Sequence, residues 1–210
     1  MLILSHRGYW KDRKDTNTLK AFKRSFDSGF GTELDVRDDR GRLAVSHDVP
    51  DRGALDLERV LKLYAAYQGR LYLAINVKAD GLQKPLCALL KKYGVSRYFV
   101  FDMSVPDALG YLKAGMKVFT RQSEFEKEPA VYARSRGVWM DEFRRHWITA
   151  AEIRKHLRRG KQVCLVSPEL HQRRHRAVWR EYRGLVKQAD TDKFMICTDF
   201  PEEARRFFYG

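Results

Sequence analysis

The feature that most constrains the fold is a regular alternation of short apolar runs with longer amphipathic stretches along the whole chain. The runs show no polar alternation, and they predict strands over residues 2–4, 30–36, 71–77, 98–101, 117–120, 137–140, 162–166 and 194–197. Uniformly apolar strands separated by helices are typical of a parallel sheet that is covered on both faces. Eight such units predict an α/β fold, a closed (β/α)8 TIM barrel.

Apolar spacing at three and four residues predicts the intervening helices. They cover residues 18–28, 57–67, 82–93, 106–114, 150–159, 171–187 and 202–208, with only a short candidate at 128–133 after the fifth strand. An open, doubly wound sheet is the alternative, but the sequence contains no glycine-rich nucleotide-binding loop. We find no repeat or linker, so residues 1–210 are predicted to form a single domain.

Composition narrows the class of protein. The 41 Lys and Arg residues exceed the 27 Asp and Glu residues, which gives a net charge of +14 and favours anionic partners. A hydrophobic content of 44% argues against disorder. The three cysteines are too far apart for a zinc site, and Cys164 and Cys197, which lie in apolar runs, are predicted to be buried free thiols. The N-terminus carries too few apolar residues for a signal peptide, and no run is long enough to span a bilayer, so we expect a cytoplasmic protein.

Polar side chains follow the first two predicted strands. His6 and Arg7 come directly after the first strand, where a proton-transfer group beside a fixed cation suits phosphate chemistry. Taken alone, His6 is also consistent with a structural histidine. Glu33 and Asp35 alternate along the second strand and therefore point to the same side, the barrel interior. Either a divalent metal or a nearby Arg or Lys would relieve their repulsion.

Two further positions suggest the same site. His47 lies beside Asp48 after a short apolar run, and Asn76 and Lys78 share a face of the third strand. Lys78 is interpreted either as a clamp for a phosphate or as a salt-bridge partner of the carboxylates on the second strand. The two interpretations are compatible.

These residues resemble the glycerophosphodiester phosphodiesterase family. The resemblance is carried by His6-Arg7-Gly8, Asn17-Thr18-Leu19, Gly29-Phe30-Gly31-Thr32-Glu33-Leu34-Asp35-Val36, Gly41, His47-Asp48, the strand around Lys78 and Cys197-Thr198-Asp199-Phe200-Pro201. It implies a TIM barrel and a role in lipid metabolism. It further implies that His6 and His47 are the general acid/base pair, that Arg7 and Lys78 hold the phosphate, and that Glu33 and Asp35 bind Mg²⁺ or Ca²⁺. In that family a glycerol hydroxyl attacks phosphorus, and water opens the cyclic phosphate.

The sequence departs from the family pattern in three places. Asn76 stands where the family has its third metal carboxylate, and an amide oxygen can bind the metal but adds no charge. The segment 15–18 lacks a second expected carboxylate. The seventh strand ends in Ser167-Pro168-Glu169-Leu170, and we hypothesise that Glu169 points into the site and replaces some of the lost charge. The chain is also short for the family.

Other polar groups have more ordinary interpretations. Asp102, Asp141 and Glu142 end strands, and Asp199 either lines the mouth or caps the last helix. His171 and His175 lie four residues apart on a predicted helix, where the neighbouring arginines favour a solvated basic face over a metal site. Basic runs in the second half follow helix periodicity, and no nucleic-acid-binding motif accompanies them, so a specific nucleic-acid partner is not expected.

Three functions follow from the sequence. The first is a metal-dependent phosphodiesterase acting on a glycerophosphodiester or related small phosphodiester. The second is a barrel of the same family whose weakened metal site binds a phosphorylated ligand without turnover. The third is a nucleic-acid-binding accessory protein, whose affinity would fall steeply with salt and would not depend on His6 or His47.

Overall fold

A computed structural model describes residues 1–186 and 191–210 of the chain. Within this part, each predicted apolar run forms a strand. The strands, in chain order, are β1 Leu2–Ser5, β2 Gly31–Asp39, β3 Arg42–Val45, β4 Leu55–Asp56, β5 Leu73–Val77, β6 Tyr98–Phe101, β7 Phe119–Gln122, β8 Gly137–Met140, β9 Gln162–Val166 and β10 Phe194–Thr198.

Parallel pairing closes the strands into a barrel. β1 pairs with β2, β2 with β5 and β5 with β6 on one side. On the other side β1 pairs with β10, followed by β9, β8 and β7. A bridge between Val100 and Val118 joins the β6 and β7 ends. β3 and β4 are antiparallel additions beside β2. The predicted TIM barrel is confirmed, and the open-sheet alternative is wrong.

The helices also follow the sequence pattern closely. They are α1 Leu19–Asp27, α2 Leu57–Ala65, α3 Gln83–Lys92, α4 Val105–Lys113, α5 Ala150–Arg158, α6 Arg176–Val186 and α7 Pro201–Tyr209. Amphipathic spacing buries one face of each helix against the barrel, as with Phe22 and Phe26 in α1.

Two helix predictions are wrong in part. Residues 130–133 form a turn instead of part of a helix. Val131 within this segment adopts a left-handed φ of 51°, which is incompatible with a continuing α-helix. The predicted helix 171–187 begins only at Arg176, because a short 3₁₀ turn, Pro168–His171, follows β9 and ends at Gln172 with a left-handed φ of 59°. Lys187 lies outside the described residues.

An aromatic layer fills the barrel below its mouth. Phe99 stacks on Phe119 with ring centroids 3.8 Å apart, and Phe101 stacks on Trp139 at 4.0 Å. These side chains are buried with Leu4 in one interior cluster. Since all eight barrel strands run in the same direction, the polar residues that follow them gather above this layer, at one end of the barrel.

The structure contains free cysteines and short amphipathic helices. Cys164 and Cys197 are buried free thiols, as predicted, while Cys87 is partly exposed and also free. Among residues 1–186 and 191–210, no helix has the length and apolar character required to cross a bilayer.

Candidate active site

The loop after β1 is shaped by local backbone requirements. Arg7 and Gly8 have φ angles of 56° and 85°, so the chain turns sharply once β1 ends. A Cβ atom at Gly8 would lie 2.8 Å from the Cβ of Ala21 in α1, which explains why glycine follows Arg7. Thr18 caps α1 through a hydrogen bond from the backbone N–H of Ala21. The tight turn holds His6 and Arg7 at the barrel mouth.

His6 is paired with a carboxylate from the far end of the chain. Its Nδ1 lies 2.7 Å from Oδ1 of Asp199, which directly follows β10. Its Nε2 lies 4.0 Å from the carboxylate of Glu33. Burial lowers the pKa of His6, but the hydrogen bond to Asp199 and the charge of Glu33 outweigh it, and the pKa is raised above 6.5. Asp199 therefore orients the imidazole and favours its protonated form. It does not serve as the cap of α7, whose N-terminal flanking residue is Phe200.

Glu33 and Asp35 point into the barrel from β2, as predicted, and both are almost completely buried. Glu33 accepts a hydrogen bond from the backbone N–H of Arg7 at 3.1 Å. Asp35 lies 3.0 Å from Nε of Arg7 and 3.8 Å from Nζ of Lys78, and it accepts a hydrogen bond from Asn17 at 2.9 Å. Burial and the charge of Asp35 raise the pKa of Glu33 to about 7. The pair therefore retains a strong attraction for additional positive charge.

The donor set around Asp35 fits a divalent cation. Asn76 is the register partner of Asp35 across the β2–β5 pair. The Oδ1 atoms of both residues are buried and accept no hydrogen bond. Oxygen donors of this kind, together with the Glu33 carboxylate, are the ligands that Mg²⁺ and Ca²⁺ prefer. In residues 1–186 and 191–210 no group of three His, Cys, Asp or Glu side chains forms a metal cluster, so such a site needs the neutral amide of Asn76.

Six of the predicted site residues line one cavity of about 310 Å³, whereas Asp35 is completely buried against Arg7 and Lys78 and is not part of the lining. The six are His6, Arg7, Glu33, His47, Asn76 and Lys78. His47 is placed there because the backbone N–H of Ser46 donates to the carbonyl of Asp35, which holds the end of β3 beside β2. The His47 side chain is 45% exposed, and its Nδ1 contacts Asp48, a neighbour that is itself 93% exposed. His47 is thus present at the cavity but is less firmly held than His6.

The side of the cavity near β6 and β7 carries ion pairs that the sequence analysis did not predict. Lys78 pairs with Asp102 at 3.0 Å, more closely than with Asp35. Asp102 also pairs with Arg121, which protrudes from β7 into the cavity and contacts Glu126. Asp102 adopts a left-handed φ of 71°, which is uncommon outside glycine and tolerated by Asp. Of the two interpretations of Lys78, the salt bridge is present, with Asp102 as its nearer partner.

Asp141, Glu142 and His171 form a second polar group. The sequence analysis interpreted the two acids as strand ends and His171 as part of a solvated basic helix face. Asp141 follows β8 and binds His171, whose Nε2 is 2.7 Å from Oδ1, and both residues line the cavity. The expectation that His171 lies on a solvated helix face is wrong, because the chain is still in the 3₁₀ turn at this residue. Glu142 is completely buried and contacts Tyr182 and Arg173 outside the cavity.

Glu169 lies close to this site but is engaged elsewhere. Its carboxylate accepts hydrogen bonds from the hydroxyls of Ser167 and Thr198 and from the backbone N–H of Asp199. It lines a neighbouring groove that also contains His175, 3.7 Å away. The structure thus brings Glu169 next to Asp199, the partner of His6, and does not bring it to the cavity that Glu33 and Asn76 line.

Comparisons with known proteins bear on this fold. A scan of protein-family models and a search of curated proteins found no match to the chain. A structure from Galdieria sulphuraria assigned as a glycerophosphodiester phosphodiesterase is 19% identical, with a TM-score of 0.76 over 100% of this chain and 98% of that one. The glycerophosphodiester phosphodiesterase of Agrobacterium tumefaciens is 20% identical, with a TM-score of 0.69 and coverage of 99% and 98%.

A phosphodiesterase from Oleispira antarctica, solved in complex with the product sn-glycerol-3-phosphate, is 14% identical. Its TM-score is 0.65, with 100% of this chain and 97% of that chain covered. All three likenesses extend over essentially the whole length of both chains. The chain therefore has the fold of the glycerophosphodiester phosphodiesterases, the family that its sequence motifs resemble.

Proposed function

We propose that the chain is a metal-dependent phosphodiester hydrolase that acts on a glycerophosphodiester or a related small phosphodiester. The observation that carries this proposal is the convergence, in one cavity, of a carboxylate-held histidine, the buried carboxylate of Glu33 and the cations Arg7 and Lys78, both of which pair with the buried Asp35. Phosphoryl transfer requires a proton-transfer group, fixed positive charge near the phosphate and oxygen ligands for a metal ion. The likeness to three phosphodiesterases, one of them bound to sn-glycerol-3-phosphate, supports the substrate class.

Each residue has a role that follows from its position. Arg7 and Lys78 would hold the non-bridging phosphate oxygens, exchanging part of their contact with Asp35 for contact with substrate. His6, oriented by Asp199, would take the proton of the attacking glycerol hydroxyl and return it in the second step. Glu33, Asp35 and Asn76 would hold Mg²⁺ or Ca²⁺, which when bound polarises the phosphoryl oxygens and offsets developing negative charge. His47 remains the sequence-predicted second proton-transfer group.

Substrate would bind where the cavity opens to solvent. The buried floor of Phe101 and Trp139 limits the depth of the cavity, and its volume of about 310 Å³ accommodates a small phosphodiester. We propose further that residues 1–210 form a single domain and that the protein is cytoplasmic. The location is supported by three cysteines that form no disulfide in the described structure.

The test is hydrolysis of a panel of glycerophosphodiesters by the purified chain with Mg²⁺, Ca²⁺ or a chelator. We expect turnover that requires a divalent metal and that falls by at least a hundredfold in His6→Gln. Glu128→Gln, a change at an exposed residue of the β7–β8 loop, is the matched control. Metal-independent turnover, or turnover that survives in His6→Gln, would contradict the proposal.

A second candidate is a barrel that binds a phosphorylated ligand without turnover. One observation favours it, the neutral amide of Asn76 beside Asp35, since it reduces the charge available to hold a metal. This candidate predicts calorimetric binding of sn-glycerol-3-phosphate with no product formation from any diester. The same hydrolysis panel therefore separates the two functions.

A further inference from the structure

A groove of about 650 Å³ lies next to the cavity of the candidate active site. Asp199 forms part of the groove wall, and its Oδ1 lies 2.7 Å from Nδ1 of His6, which lines the cavity. Trp10 is also part of the groove wall, and its Nε1 donates a hydrogen bond to the backbone carbonyl of His6 at 3.0 Å. The groove and the cavity are therefore neighbours at His6, and a substrate that extends past this residue would enter the groove.

Four arginines line the groove, and two of them have no partner. Arg173 and Arg176 form ion pairs with glutamates. Arg13 lies in a short 3₁₀ turn after the β1 loop, and Arg174 lies in the segment just before α6. Both are exposed, and within residues 1–186 and 191–210 neither side chain forms an ion pair or a hydrogen bond. Two separate segments of the chain thus bring unpaired guanidinium groups to one groove.

The acids near these arginines are already engaged. Arg13 has two acidic neighbours in the sequence, but both form ion pairs with lysines. Of the acids in the groove wall, Asp199 pairs with His6, and the carboxylate of Glu169 accepts hydrogen bonds from two hydroxyls and one backbone N–H. The two unpaired positive charges are therefore available to an anion that enters the groove.

Two aromatic side chains add an apolar surface to the groove. Phe200 is 41% exposed, and Trp10 is partly buried. Such rings pack against carbon atoms, and they also attract a quaternary ammonium group such as that of choline. Unpaired arginines repel an ammonium group, whereas guanidinium binds phosphate through parallel hydrogen bonds. A phosphate monoester carries about two negative charges at neutral pH, so it matches the two unpaired arginines better than a cation does.

We propose that this groove binds a second phosphate group, carried by the alcohol that hydrolysis releases; the inference rests on the proposed hydrolase function. Arg13 and Arg174 bind the oxygens of that phosphate, and Trp10 and Phe200 pack against the carbon atoms that separate it from the scissile diester. The preferred substrates are thus diesters of glycerol phosphate with a phosphorylated alcohol. Their hydrolysis consumes one water and releases glycerol phosphate and the phosphorylated alcohol.

The experiment compares three esters of glycerol 3-phosphate, with ethanol, with choline and with 2-hydroxyethyl phosphate. We expect kcat/KM of the wild type for the phosphorylated ester to exceed that for the ethyl ester about tenfold, and the choline ester to be the poorest substrate. Arg13→Gln and Arg174→Gln should each lower the ratio of the phosphorylated to the ethyl ester about fivefold, mainly through KM, because each removes one contact with the second phosphate. Added salt should lower the same ratio in the wild type.

Arg180→Gln is the matched control, since Arg180 is an exposed arginine of α6 outside the groove and the change removes the same charge. Thermal unfolding of each variant checks that it folds. An equal fall of the ratio in Arg180→Gln and Arg174→Gln would overturn the inference, as would a preference of the wild type for the choline ester. If the wild type cleaves all three esters with equal kcat/KM, only the inference is wrong. If it cleaves none of them, the proposed function is wrong and the inference falls with it.

Discussion

Glu33 is a buried carboxylate whose ionisation should destabilise the fold in the absence of metal. Its pKa is raised from 4.5 to about 7, first by burial and then by the charge of Asp35. A group with a raised pKa in the folded state stabilises the protein below the unfolded value, and this contribution is lost as the pH rises through the folded value. Each pH unit corresponds to about 1.4 kcal/mol, so ionising Glu33 removes about 3 kcal/mol between pH 4.5 and 7.

Glu33→Gln removes that charge and keeps an oxygen able to accept the hydrogen bond from the backbone of Arg7. We therefore expect the variant to be more stable than the wild type at pH 8 in EDTA, by up to about 3 kcal/mol, and to be inactive. At pH 4.5 the difference should vanish. Urea unfolding midpoints at the two pH values measure it, with Glu128→Gln as the control.

In the presence of metal the wild type should be more stable than Glu33→Gln. Mg²⁺ or Ca²⁺ that binds the folded state stabilises only the protein that retains the carboxylate. If Glu33→Gln is no more stable than the wild type at pH 8 without metal, then ionised Glu33 does not destabilise the fold, and its pKa is not raised as described.

Four further predictions concern single substitutions. Asn76→Asp should tighten metal binding about tenfold, or about 1.4 kcal/mol, by adding charge beside Asp35, and an unchanged Kd by calorimetry would contradict this. Glu169→Gln should leave metal affinity unchanged within about twofold if its hydrogen bonds to Ser167 and Thr198 are its role; weakened affinity would support the charge-compensation hypothesis. Tyr182→Phe should lower the free energy of unfolding by about 1–3 kcal/mol, since a buried hydroxyl donates to Glu142 at 2.7 Å, and urea midpoints test it. His6→Gln should retain only residual turnover, at least a hundredfold below the wild type, and that turnover should lack the rise of kcat with pH that the wild type shows as His6, with its raised pKa, becomes neutral; pH–rate profiles of both proteins measure this.

The barrel could be predicted from the sequence because its strands are apolar on both faces and its helices carry strong periodicity. Both signals are contained in short stretches of sequence, so they can be recognised without knowledge of the tertiary structure. The exception, 128–133, is a short segment in which Val131 adopts a left-handed φ of 51°, and a pattern of apolar residues does not reveal such a backbone turn. The late start of α6 has a similar local cause, since Pro168 favours a short 3₁₀ turn directly after β9.

Part of the site could also be predicted from residues that are close together in the sequence. Glu33 and Asp35 lie two apart on one strand, so alternation places them on one face without further information. The pairs His6–Asp199 and His171–Asp141 join residues 193 and 30 positions apart, and barrel closure is what brings them together. One signal was available, since Asp102, Asp141 and Asp199 each follow an apolar strand directly, as His6 does. In a TIM barrel the residues that follow all eight strands form the site. This includes the acidic residues that the sequence analysis interpreted only as ends of strands.

The excess of basic residues contributes little to the site itself. Within the described residues, Arg7, Lys78 and Arg121 are the Lys and Arg side chains that line the cavity, and all three pair with carboxylates. Many others lie on outer helices, such as Arg176 of α6, where they pair with neighbouring acids or face solvent. Such charge attracts anionic molecules to the protein without performing chemistry on them.

The most direct test of the central claim is phosphorus NMR of a glycerophosphodiester incubated with the wild type, His6→Gln and Glu33→Gln in the presence of Mg²⁺ or Ca²⁺. The account predicts that the wild type converts the diester signal into that of glycerol phosphate, with any cyclic phosphate signal transient, and that both variants leave nearly all of the diester intact over the time in which the wild type converts it. An unchanged diester signal in the wild type, with the fold verified, would contradict the account, as would equal conversion by all three proteins.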